Sequence, residues 1–266
     1  MTAASDRFDT AQPHPARVYD YLLGGKDNFA ADREFGERMV AAYPEARDAA
    51  WQNRAFMRRV VAWIAREGGV RQFLDVGTGL PTSPNLHEVV QRIAPESRVV
   101  YVDNDPLVLT HARALLTSSP EGATAYVDAD IRDPEKILTS AAKVLDFCEP
   151  VAVTAIALLH YVPDGDDPYG SVARLMTALP SGSYLAISHG THDPLAPDRR
   201  TRMEQLWAAS PVPSQVRSRP EVERFFDGLD LVDPGVVPIT DWRPDDAIDQ
   251  PPFADIAFYG GLAVKP

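Results

Sequence analysis

From residue 70 onward the chain alternates short β-rich runs with helical stretches, and three of those runs carry an aspartate at or near the carboxyl end. FLDVG (73–77), RVVYVD (98–103), TAYVD (124–128), VAVTAIAL (151–158) and YLAIS (184–188) read as five strands. Between them, Ser83-Pro84, Asp105-Pro106 and Asp133-Pro134 each read as a polar cap followed by proline at the first helical position, where its missing N–H costs nothing. A further helix reads over 171–179. Such alternation points to an α/β fold with an open, mainly parallel sheet. VAVTAIAL is apolar throughout, which suits a strand at the sheet centre covered on both faces. VVPIT (236–240) and DIAFYGGLAV (255–264) read as two last strands, antiparallel at one edge, which makes seven. Helices over 197–208 and 220–226 lie between. In this architecture ligands sit at the carboxyl ends of strands, near the switch in strand order.

The first 69 residues have a different texture and read as a helical cap, with a core from 70 to 266. Residues 1–14 are polar. Helices are predicted over 15–23, from 28 or 30 to 40, and over 46–67, the last with Phe56, Val60, Trp63 and Ile64 as its apolar stripe. The stretch YLLGGKDNF (21–29) superficially suggests a phosphate-gripping loop. Lys26 is followed by Asp27 rather than Ser or Thr, and the glycines follow a helix rather than a strand, so that reading fails. Gly24 reads as a helix stop and Gly25 as a joint. As part of a lid over a pocket, the stretch would present Tyr21, Lys26 and Asn28 to the ligand.

The chemistry concentrates at the strand ends. In Asp75-Val76-Gly77-Thr78-Gly79 the glycines permit a tight turn and close ligand approach. Asp75 beside them disfavours a pyrophosphate, and Thr82 stands where a dinucleotide fingerprint needs its third glycine. Asp103 ends the next strand, where an acid can accept both hydroxyls of a ribose. Asp130, with Ile131, can meet an adenine amino edge. Asp105 and Asp133 read as helix N-caps. His160 after the fourth strand is the candidate base, with a structural strand-end histidine as the plainer alternative. His189 and His192, around the fifth strand's end with Asp193, are candidates for substrate contact, against a solvated loop. Tyr161 reads as a wall of the pocket.

Composition narrows the partners. The 266 residues are 45% hydrophobic, enough for a sizeable core, and the formal net charge of −12 opposes broad nucleic-acid binding. The one cysteine, Cys148, forbids an intrachain disulfide and fits a reducing cytoplasm. No apolar run reaches membrane-spanning length. No His/Cys cluster has zinc spacing, so no metal is inferred.

Together LDVGTG, YVDNDP, VDADIRDP, IALLHYVPD (156–164) and LPSGSYLAIS (179–188) resemble the motifs of class I S-adenosylmethionine-dependent methyltransferases over 70–264. PARVYDYLLGGKDNFAADRE (15–34), QNRAF (52–56) and FFDGLDLVDPGVV (225–237) resemble an actinobacterial S-adenosyl methyltransferase family once classed as a domain of unknown function. The resemblance implies a Rossmann-like sheet with an antiparallel edge strand and S-adenosyl-L-methionine as cofactor. It implies Asp75, Gly77, Thr78 and Gly79 at the methionine end, Asp103 on the ribose, and Asn104 beside the adenine. Asp130 and Ile131 would meet the adenine edge, and Leu158 and Leu159 would form the floor near the sulfonium. Pro81 departs from the glycine many relatives carry. A small-molecule acceptor, methylated on oxygen or nitrogen, is expected. The fourth motif lacks the Asn/Asp-Pro-Pro-aromatic sequence of adenine-N6 enzymes. Two other readings stand beside this one: a catalytically silent cofactor sensor, and a nucleotide-dependent oxidoreductase.

Overall fold

A computed structural model describes residues 9–115, 117–244 and 250–266. Three helices come first: α1 (Pro15–Leu22), α2 (Ala30–Ala42) and α3 (Ala46–Arg66). The alternating region then gives β1 (Gln72–Val76), α4 (Leu86–Ile93), β2 (Arg98–Asp103), α5 (Pro106–Leu115), β3 (Ala123–Asp128), α6 (Pro134–Ala141) and β4 (Ala152–Ile156). After it come α7 (Pro168–Thr177), β5 (Tyr184–Gly190), α8 (Pro197–Ala208) and α9 (Arg219–Glu223). Two short strands, β6 (Asp230–Leu231) and β7 (Val237–Pro238), precede α10 (Phe253–Ile256) and the long β8 (Phe258–Val264).

The sheet order is β3-β2-β1-β4-β5-β8-β6, with β7 also pairing β8. Strands β1 to β5 are parallel, and β8 runs antiparallel to β5, β6 and β7. The expected seven strands are therefore eight among the described residues. The run VVPIT keeps only two ladder residues, because the chain enters a turn at Ile239 and Thr240, where the Ile239 N–H still donates to Phe258 O at 3.0 Å. The antiparallel strand is not the edge: β6 and β7 lie outside β8.

Alternation along the strands feeds two cores. Leu74, Val100, Val153 and Leu185 face one layer with Ile137 of α6 and Leu175 of α7. Phe73, Val99, Ala152 and Ala186 face the other, against Phe56, Val60, Val61 and Ile64 of α3 and Val90 of α4. Those four α3 side chains are fully buried, each worth roughly 1.5–3 kcal/mol. Trp63, expected on the same stripe, is only partly buried and stacks edge-on against Tyr184. Because α3 covers the sheet, packing does not break at residue 69. A third cluster joins Val18 and Leu22 of α1 and the Leu23 that caps it, Phe35 and Met39 of α2, Ala49 and Ala50 of α3, and Met203 of α8.

Local signals explain most boundaries. Pro15, Pro134 and Pro197 open their helices, and Asp133 accepts the Lys136 N–H at 3.1 Å as cap. The Ser83-Pro84 start is corrected. The helix begins at Leu86, with Asn85 as cap and the Glu88 carboxylate accepting the Asn85 N–H at 2.6 Å. That Asn-x-x-Glu capping box outcompetes the proline signal. The sequence also predicts an apolar side on the helix after Asp105-Pro106 through Val108, Leu109, Ala112, Leu115 and Leu116; Val108 and Leu109 are buried, and the other three lie outside the described side chains. No helix among the described residues is long and apolar enough to cross a membrane.

Candidate cofactor and acceptor site

The carboxyl ends of β1, β2, β3 and β4 surround a cavity of about 330 Å³. That is within the usual range for a small-molecule site. Asp75, Gly77, Thr78, Gly79, Asp103 and Asn104 line it, as do Asp130, Ile131, Leu158 and Tyr161. Four stretches far apart in sequence thus meet where the strand order switches.

Asp103 is the best-formed group. It is buried, Gly79 N–H donates to Oδ2 at 2.9 Å, and Asp105 N–H donates to Oδ1 at 2.9 Å. Each oxygen keeps lone-pair capacity for a further donor. Burial pushes this carboxyl up to about 6, against those two hydrogen bonds. Asp75 is also buried; the Thr154 hydroxyl bonds its Oδ1, and burial raises its pKa. Gly77 has φ +73, and a Cβ there would meet the Leu158 side chain at 2.6 Å. Only glycine fits that turn without strain. Leu158 therefore forms floor at this point, while Leu159 is fully buried in the core and lines neither cavity. Asn104 Nδ2 donates to Asp130 Oδ2 at 2.7 Å, and Arg132 bridges both Asp130 oxygens to Asp166. The expected adenine-edge acid is thus held by two neighbours.

Several lining residues escaped the sequence reading. Arg54 of α3 donates to Thr82 O and Pro84 O, and its charge also interacts with Asp75 and Tyr19. Burial lowers its pKa. Asn53 donates to the Tyr19 hydroxyl at 2.9 Å and accepts from Ser188, while Tyr19 donates to Ala50 O. His14 Nδ1 stands 3.1 Å from Asp105 Oδ2, with Arg17 Nε at 3.5 Å from the same oxygen. Asp105 does cap its helix, accepting the Leu107 N–H at 2.9 Å, but it also ties α1 to the ribose-side loop. The stretch QNRAF held the signal for Asn53 and Arg54, as polar residues within an apolar helix stripe.

A smaller cavity of about 100 Å³ adjoins the first, with Tyr19, Ala157 and Tyr161 lining both. His160 and His192 line this second space. His160 is buried, and burial, then the charges of His189 and Arg217, hold its pKa well below the usual imidazole range. Gly190 N–H faces His160 Nδ1 at 3.4 Å, which favours the tautomer with the proton on Nε2. In that tautomer Nε2 donates rather than accepts, which counts against His160 as a general base. His192 is lowered by burial and stands 3.7 Å from Glu204. Burial raises the Tyr161 pKa, so its hydroxyl stays protonated, as befits a wall.

His189 is corrected outright. It is fully buried, lines neither cavity, and is fixed between Gly190 O at 2.8 Å and Arg217 Nη1 at 2.9 Å. Burial drops its pKa to about 3. It supports Arg217, a buried staple that also bonds Leu159 O, Val162 O and Asp164.

The three cap residues are corrected as well. The Tyr21 ring packs on Gly36 and under Arg47. Lys26 is exposed, and Asn28 Nδ2 donates to Asp20 Oδ2 at 2.7 Å. None lines either cavity. The loop is built on Asp20, whose carboxylate also accepts the Asp27 N–H at 3.0 Å; a Cβ on Gly25 would overlap it. Among the described residues no group of His, Cys, Asp or Glu could hold a metal ion.

A family model described as S-adenosyl methyltransferase matches residues 1–266. The chain belongs to the S-adenosyl methyltransferase family. A DUF574 family protein from Streptomyces avermitilis MA-4680 is 52% identical, with TM-score 0.93 over 97% of this chain and 99% of that one. A protein from Thermobifida fusca YX is 39% identical, with TM-score 0.87 over 97% and 96%. The N-methyltransferase NodS from Bradyrhizobium japonicum WM9, in complex with S-adenosyl-L-homocysteine, shares the fold at 14% identity and TM-score 0.50, over 94% and 99%. A search of curated proteins gives no match. As a member of the S-adenosyl methyltransferase family, the protein is a Rossmann-like methyltransferase that depends on S-adenosyl-L-methionine.

Proposed function

We propose that the larger cavity holds S-adenosyl-L-methionine and that the methyl acceptor is a small molecule entering beside Tyr19, Ala157 and Tyr161. The observation that carries this is the buried Asp103 carboxylate, held by two backbone N–H groups and still able to accept two ribose hydroxyls. The bare turn at Gly77 and Gly79 leaves room for the ligand's approach, and the cavity's volume fits. Asn104, Asp130 and Ile131 take the adenine end. Thr78 and Asp75 stand towards the methionine end. Arg54 is the cation on hand for the cofactor's carboxylate.

When bound, the cofactor supplies an electrophilic methyl group on a sulfonium, whose sulfur keeps the electron pair as the acceptor atom takes the methyl. The protein's part is alignment and exclusion of water. Leu158 and Tyr161 wall the reacting side, and the His160 Nε2–H orients an acceptor oxygen. An acceptor hydroxyl or amine gives up its proton to solvent.

The cap is α1 and α2 rather than everything before residue 70, with α3 as a sheet layer. A cytoplasmic location, argued from the single cysteine, and no engagement of nucleic acid, argued from the −12 charge, complete this reading.

Titration calorimetry with S-adenosyl-L-homocysteine tests it. Asp103→Ala should lose roughly 1.5–3 kcal/mol, a charge-assisted hydrogen bond's worth. Unchanged affinity would remove Asp103 from the ribose.

A further inference from the structure

We infer that the smaller cavity is the acceptor pocket and that it selects an uncharged, mainly apolar molecule with one ring or a short aliphatic chain. This rests on the methyl-transfer reading and adds the acceptor's class. Three residues, Tyr19, Ala157 and Tyr161, line both cavities, so the two spaces adjoin and an occupant of the smaller one lies next to the larger. The loop after α8 reinforces the connection. Pro211 and Pro213 line the larger space, Ser214 and Val216 the smaller, and Gln215 N–H fixes the loop to His160 O at 2.8 Å.

The lining decides the chemistry. Leu22, Met39, Leu195, Met203, Trp207 and Phe258 supply most of it, and no Lys, Arg, Asp or Glu takes part among the described residues. The two histidines are neutral, because burial lowers both. A charged acceptor would lose its hydration there and find no counter-charge, which disfavours its binding. An uncharged one loses little and gains apolar burial. Size sets the second limit, since a cavity of about 100 Å³ is comparable with those that hold a benzene-sized ring. Polar groups are few. His160 is a donor, and the Tyr43 hydroxyl is buried without a hydrogen-bond partner. Either can orient a single hydroxyl or amine on the guest.

Methionine methyl groups report the two spaces separately. Met39 and Met203 line the smaller cavity and Met57 the larger. The full chain, labelled with 13C-methyl methionine and saturated with S-adenosyl-L-homocysteine, is titrated with phenol and, separately, benzoate. Phenol should shift Met39 and Met203, with benzoate at least about tenfold weaker, as burying its charge requires. Ala49→Leu, which fills the smaller cavity, should abolish the phenol shift and leave the Met57 response to S-adenosyl-L-homocysteine intact. If that variant does not fold, Met39→Ala should raise affinity for 2-naphthol relative to phenol. Phenol leaving Met39 and Met203 unmoved, or benzoate matching it, while Met57 still responds to S-adenosyl-L-homocysteine, would overturn this inference alone. No Met57 response and no calorimetric binding of S-adenosyl-L-homocysteine would overturn the methyl-transfer reading, and this inference with it.

Discussion

Asp103 shows how one side chain serves two opposed demands. Its folded carboxyl holds a proton up to about pH 6, whereas an unperturbed aspartate releases it near 3.8. This group's contribution to stability is therefore greatest below the unfolded value and falls as pH rises through 6. Cofactor binding runs the other way if ribose hydroxyls donate to the ionised form. S-adenosyl-L-homocysteine affinity should fall about tenfold per pH unit below 6, read by calorimetry from pH 8 to 5. A flat profile would mean the neutral acid binds equally well. Arg54 makes a second residue-scale prediction. Arg54→Met should weaken S-adenosyl-L-homocysteine by roughly 10-fold or more, as loss of a charge-assisted contact. It should leave 5′-methylthioadenosine, which has no amino-acid carboxylate, within about twofold on the same scale. Equal losses for both ligands would assign Arg54 to loop structure alone, through Thr82 O and Pro84 O.

Among the elements, α3 and the turn after β4 do most to shape the site. The helix packs Phe56, Val60 and Ile64 on the sheet and, one turn earlier, turns Asn53 and Arg54 into the cavity wall. The turn after β4 begins at Ala157, in the left-handed region at φ +54, and is stapled by Arg217. Arg217→Met would leave Leu159 O, Val162 O and His189 Nε2 without that donor inside the protein. It should cost on the order of 3–5 kcal/mol in urea unfolding, with acceptor binding lost before cofactor binding. A variant within 1 kcal/mol of wild type, on the usual scale for a surface change, would show that water replaces the guanidinium. The strand readings were legible because apolar runs and terminal acids repeat. That of β6 was not, since two paired residues leave no periodicity, and β7 was read too long for the same reason.

At the scale of the molecule, residues 14–23 carry packing as well as cavity lining. Val18, Leu22 and Leu23 are buried against α2, α3 and α8, at an upper estimate of about 5 kcal/mol or more together. That is comparable with the whole stability of an ordinary domain. Deleting residues 1–29 should lower the melting temperature steeply as well as abolish S-adenosyl-L-homocysteine binding, because His14 and Tyr19 leave the cavity with α1. A truncated chain that melts normally and still binds would return α1 to a dispensable appendage.

The strand-end acids Asp75, Asp103 and Asp130, the glycine turn and the alternating fold were all fixed by local rules: side-chain period, capping, and the placement of acids where strands end. So was the failure of GGKDN as a phosphate loop. What tertiary structure alone decided are the relations across distant segments. His189 faces Arg217 rather than a substrate because the turn after β4 folds onto β5. Asn28 faces Asp20 because α1 and the joint close on themselves. Arg54, His14 and Tyr19 reach the site because α1 and α3 lie over the ends of β1 and β2. No period or cap encodes such contacts. They exist only once the apolar faces have chosen their partners.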